Sequence, residues 1–70
     1  MKSFGEKLKE LRIEKGLSQK ELADLVDTSQ SAIFYWENNQ QEPKISSLKK
    51  LCIFFNVSAD YLIGLEEEIR

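Results

Sequence analysis

Histidine is absent from this 70-residue sequence, cysteine occurs once (Cys52), proline once (Pro43) and glycine three times. With no imidazole and a lone thiol there is no zinc ligand set and no internal disulfide, so neither metal nor covalent staple is expected. No run of 18 apolar residues is present, which argues against a membrane-spanning helix, and no basic stretch leads into an apolar one in the manner of a secretory signal. A glycine-rich phosphate loop and a nucleophile with a nearby base are missing as well, so an enzyme is not expected and no cofactor is implied. The reading is a soluble, cytoplasmic protein. A net surplus of positive charge is also lacking: Lys and Arg number 10 against 12 Asp and Glu, a formal net charge of −2. That excludes nucleic-acid binding driven by bulk electrostatics alone. The acidity is localised, however. Residues 1–50 hold nine Lys/Arg against eight Asp/Glu, whereas residues 51–70 hold only Arg70 against Asp60, Glu66, Glu67 and Glu68.

What is present is helical periodicity, with no useful period-two alternation. A hydrophobic fraction of 41% and a charged fraction of 31% suit one small globular domain, which buries only about 60% of its unfolded surface. Phe4, Leu8 and Leu11 form the stripe of a first helix that ends near Lys15-Gly16. Ser18 and Glu21 make a capping box for a second helix running to about Val26, with Leu22, Leu25 and Val26 on one face. Ser29 caps a third helix through about Asn38, and "NNQQEPK" is a polar loop. Leu48, Leu51, Cys52 and Phe55 give the stripe of a fourth helix, where Cys52 reads as an inert thiol and Lys49 and Lys50 as the solvated face. Ser58 caps a short fifth helix closed by Gly64. The expectation is an all-α domain of five helices over residues 1–65, followed by an acidic tail or linker start at 66–70.

Only Asp27 and Thr28 separate helices two and three, which suits a steep crossing of the helix-turn-helix kind. Ala23 is small enough for the axes to approach. Asp27 takes the turn position that normally calls for glycine, at a strain of about 1 kcal/mol. The stretch "TSQSAIFYWENN" carries Phe34, Tyr35 and Trp36 in a row and no Lys or Arg. At about 100° per residue they cannot share one core. Ile33, Trp36 and Glu37 fall together on an inner face. Ser31, Phe34, Tyr35 and Asn38 fall on the other side, with Phe34 nearest the margin and Gln30 at the exposed N-terminal edge.

At this level of detail the chain resembles the lambda-type phage repressor and Cro helix-turn-helix domains, also called the xenobiotic-response-element family. The resemblance runs through "FGEKLKELRIEKGLSQKELADLV", "TSQSAIFYWENNQQEP" and "LKKLCIFFNVSADYLIGL", nearly the entire chain. It implies a compact lambda-repressor-like fold and a sequence-specific DNA-binding transcriptional regulator, a repressor acting as a dimer, with the third helix in the major groove. On that resemblance Gln30, Ser31 and Tyr35, with Phe34 as a further contact, match the base-facing positions. Gln pairs with adenine, Ser serves either base type and an aromatic edge suits the thymine methyl, which favours an A·T-biased, palindromic operator. Gln19, Ser29, Asn38, Asn39 and Lys44 match backbone-contacting positions. Arg12 and Glu37 match a structural ion pair between helices one and three. Asp27 in the turn and the uncharged "NNQQE" loop depart from the family pattern and imply few cationic phosphate contacts, hence a shallow salt dependence.

Helix four is apolar beyond its stripe, at Ile53 and Phe54, and Tyr61, Leu62, Ile63 and Leu65 add further apolar surface nearby. Such surface is expected to form a two-fold homodimer interface. The rival reading is a protein-interaction module on the same scaffold, an antitoxin-like subunit that docks a partner through its uncharged aromatic face.

Overall fold

Four serines set where helices begin. Each sits in extended backbone and its hydroxyl accepts a backbone N–H three residues on: Ser3 from Glu6, Ser18 from Glu21, Ser29 from Ala32 and Ser58 from Tyr61. At Ser3 and Ser18 the glutamate returns the bond to the serine N–H, completing two capping boxes. The first of these, Ser3 with Glu6, has the same sequence signature as the second and was equally readable. The computed structural model describes residues 1–69, with the backbone alone at Ile69; Arg70 of the expected tail lies outside the described residues. It contains α1 (Phe4–Glu14), α2 (Gln19–Leu25), α3 (Gln30–Glu37), α4 (Ile45–Phe55), α5 (Ala59–Ile63) and α6 (Leu65–Ile69). The domain is all-α, with no strand among the described residues and no helix long and apolar enough to cross a membrane.

The core takes one fully buried side chain from each of the first five helices: Leu8, Leu22, Ile33, Leu51 and Leu62. Ala23, Val26, Trp36 and Phe55 close around them. Two sequence assignments are corrected here. Leu25 is 57% exposed, because Leu22 and Val26, four residues apart, already define the inward face of α2. Leu62, expected at a dimer interface, is wholly buried and belongs to the core. Cys52 is half-buried, and desolvation raises its thiol above the ordinary pKa, which suppresses the reactive thiolate.

Three residues other than glycine adopt left-handed backbone, and each ends or follows a helix. Asp27 (φ 58°) turns the chain between α2 and α3, while the Thr28 N–H bonds the Ala23 carbonyl at 2.9 Å. Asn39 (φ 58°) leaves α3, and Asn56 (φ 56°) caps α4. Asparagine and aspartate bear this conformation at lower cost than most residues.

The five-helix expectation also requires correction, since the C-terminal segment forms α6 and the expected boundary at 65/66 falls inside it. Two side-chain contacts hold α6. The Ser58 hydroxyl bonds Glu66 at 3.2 Å, and the buried Lys7 ammonium donates to Glu67 at 2.8 Å and to the Tyr61 carbonyl at 2.9 Å. Lys7 also lies 5.0 Å from the centre of the Tyr61 ring.

Gly5 sets the approach of α1 to the end of α3. A Cβ there would lie 2.3 Å from the Glu37 carbonyl oxygen and 2.7 Å from that of Trp36, both rigid backbone atoms. Gly5→Ala is therefore expected to destabilise the domain by about 1–3 kcal/mol through overpacking, although alanine in a helix is intrinsically favoured by about 1 kcal/mol. Urea unfolding followed by far-UV circular dichroism measures this. A midpoint equal to or above that of the parent would show that the two helices separate without cost.

Candidate nucleic-acid interface

The helix that presents the candidate site is only eight residues long, too short to persist alone, so its orientation is set by what lies behind it. Ile33 and Trp36 anchor it in the core, as the helical wheel predicts. Behind its C-terminal end the Glu37 carboxylate is buried and accepts three bonds. Arg12 supplies two, Nε to Oε2 at 2.6 Å and Nη2 to Oε1 at 3.1 Å, and Gln19 Nε2 adds a third at 3.1 Å. The remaining guanidinium nitrogen Nη1 donates to the Leu17 carbonyl at 2.7 Å. One carboxylate thus joins α1, the start of α2 and α3. Two charges removed from water need this degree of satisfaction, and no buried side-chain polar atom among the described residues is left without a partner.

The opposite side of α3 faces out. Gln30 and Ser31 are exposed in its first turn, and Phe34 and Tyr35 follow at 47% and 40% exposure. The two rings meet edge to face, with centroids 5.5 Å apart and planes at 75°. Phe34, placed at the margin by the wheel, is as open as Tyr35. Together with Gln19 these residues line a shallow cleft of about 220 Å³. Both amide-bearing helix starts therefore meet the aromatic pair at one surface, and no Lys or Arg lines it.

The residues expected at the DNA backbone divide into two groups. Ser29 and Lys44 lie exposed at the starts of α3 and α4, with the Ser29 hydroxyl already capping its helix. Asn38 is exposed at the end of α3, where its amide donates to the Phe34 carbonyl at 2.8 Å. Gln19 and Asn39 are turned into the fold. The Gln19 amide nitrogen is held by Glu37, and the Asn39 side chain bridges to α1, accepting from the Gly5 N–H at 3.0 Å and donating to the Ser3 hydroxyl at 2.9 Å. Asn39 is therefore a tie between the α3–α4 loop and the start of α1, a role its sequence position in a polar loop does not reveal.

Positive charge is largely neutralised in place. Lys2, Lys20 and Lys50 pair with Glu10, Asp24 and Asp27 respectively. The Lys50 contact, at 3.3 Å, offsets the charge that Asp27 brings to the turn, although so exposed a pair adds little stability. Of the apolar residues expected at a dimer interface, Ile53 and Ile63 are 70% and 50% exposed, while Phe54, Tyr61 and Leu65 are half-buried. A groove of about 390 Å³ beside Ile63 is lined in part by Phe4, Pro43 and Leu48.

Comparison with known proteins agrees with this geometry. A family described as Helix-turn-helix matches residues 8–62. The HTH-type transcriptional activator BcrR of Enterococcus faecalis is 42% identical over 66 residues, which is 94% of this chain but 32% of BcrR. The HTH-type transcriptional regulator ImmR of Bacillus subtilis is 37% identical over 65 residues, 93% of this chain and 51% of ImmR. The chain thus spans between a third and about half of the length of these relatives. Among solved structures, the P22 c2 repressor in complex with a synthetic operator superposes with a TM-score of 0.86 at 30% identity, covering 90% of this chain and 96% of that one. The chain belongs to the helix-turn-helix family and has the lambda-repressor-like fold.

Proposed function

We propose that this chain is the double-stranded-DNA-binding domain of a cytoplasmic transcriptional regulator, a repressor, that reads the major groove with α3. One observation carries the reading: Gln30, Ser31, Phe34 and Tyr35 stand out from a short helix whose inner face is fixed by Ile33, Trp36 and the Arg12–Glu37 pair. The likeness to the operator-bound P22 c2 repressor supports it. Relatives with both activator and repressor names share the scaffold, so the direction of regulation rests on the repressor likeness. In this reading Gln30, Ser31, Phe34 and Tyr35 address base edges. Ser29, Asn38 and Lys44 address phosphates, and Gln19 and Asn39 contribute to the backbone contacts through the helix start and loop they position. No catalytic step is assigned. The domain works as a two-fold homodimer joined through its C-terminal helices by Ile53, Ile63 and the half-buried Phe54, Tyr61 and Leu65, on an A·T-biased palindrome with half-sites about 34 Å apart.

The second reading, a module that docks a partner protein, is favoured by the uncharged aromatic character of the same face. Titration of selected and random duplexes at about 50 and about 200 mM salt separates the two. A DNA-reading domain loses affinity as salt rises, with a shallow slope because so few lysines are free of carboxylate partners; no duplex binding at either salt would favour the docking module. Gln30→Ala should cost about 1–3 kcal/mol on the selected site and little on random DNA, and equal losses on both would remove Gln30 from the reading set. Sedimentation at micromolar concentration without DNA should show a dimer, whereas a monomer would overturn the assigned interface.

A further inference from the structure

The cleft on the outer side of α3 has two unlike walls. Gln19, Gln30 and Ser31 contribute amides and a hydroxyl, and Phe34 and Tyr35 contribute ring edges held at 75° to one another. Its volume of about 220 Å³ is several times the ~30 Å³ a water molecule occupies in the liquid, so it has room for part of a base and is not a simple surface dimple. Its chemistry discriminates among base edges in the major groove. Guanine offers two acceptors that are best met by a bidentate cation, and none lines the cleft. Cytosine brings an amine beside a bare ring carbon, which leaves the aromatic wall with nothing to cover. An A·T pair satisfies both walls at once, since adenine presents N6 and N7 while thymine presents its C5-methyl on the same groove floor.

Resting on the DNA-reading function above, we infer that this cleft is a methyl-reading subsite: the Phe34–Tyr35 edge packs on a thymine C5-methyl while Gln30 takes the adenine of the same pair. The two exposed rings, otherwise without a partner across that face, lose their contact with water against the methyl. Specificity at this position then comes from an apolar contact, and the absence of arginine and lysine from α3 becomes part of the selectivity for A·T.

Replacing thymine by uracil removes that methyl and leaves every hydrogen-bonding group and the base pairing in place. The test starts from duplexes selected out of a random pool, with each thymine replaced singly by uracil and affinities measured by fluorescence anisotropy. At one thymine position per half-site the parent protein should lose about fourfold in affinity, the effect of one buried methyl-sized group, with smaller changes elsewhere. In the Phe34→Ala/Tyr35→Ala double variant, with folding confirmed by helical circular dichroism, thymine and uracil duplexes should bind alike at that position. Indifference of the parent to every uracil, or discrimination that persists in the double variant, overturns the methyl subsite while leaving DNA reading intact. Failure of the pool to yield any bound duplex overturns both.

Discussion

Orientation of the reading helix depends on one buried carboxylate. Glu37 sits at the end of α3 and is met by the Arg12 guanidinium from α1 and the Gln19 amide from α2. Leaving such a charge buried and unpaired costs about 3–5 kcal/mol, a large part of the stability of a domain this small. The bonds are therefore all-or-none in practice, and they hold the helix in one rotation about its axis. The hydrophobic core fixes how deep α3 lies; the directional bonds to Glu37 fix which residues face outward.

The connections before and after α3 reinforce that placement from the backbone. Asp27 and Asn39 both turn the chain through left-handed conformations at its two ends. Asn39 then binds the first turn of α1, where Gly5 leaves space for the α3 carbonyls. The helix is thus held at its start by the turn, in its middle by Ile33 and Trp36, and at its end by Glu37 and Asn39. Little of this depends on α4, which meets the turn on its outer side through the exposed Lys50–Asp27 contact.

Much of this was legible from the residues. Serine caps, the stripes of α1 and α4, the inward turn of Ile33, Trp36 and Glu37 and the left-handed Asp27 follow from local rules that act over three or four positions. What escaped depends on distant partners or on very short helices. Lys7 reads as a solvated lysine because its partners, Tyr61 and Glu67, lie more than fifty residues away. Gly5 reads as an ordinary helical residue until the α3 carbonyls are placed against it. Leu62 and Ile63 are adjacent apolar residues in a five-residue helix, less than two turns, so periodicity alone cannot say which of them faces in. The same shortness hid α6, whose acidic sequence resembles a tail and whose attachment comes from Ser58 and Lys7. At the reading face the residue set was visible, but the inward commitments of Gln19 and Asn39 required the fold.

Separation of duties along α3 has an evolutionary consequence. The inward residues are locked into core and ion pair, while Gln30, Ser31, Phe34 and Tyr35 sit where substitutions typically change stability by less than about 0.5 kcal/mol. Recognition can therefore drift without endangering the scaffold. A lineage of such chains could acquire new target sequences by exchanging four side chains, each swap tolerated before it is useful.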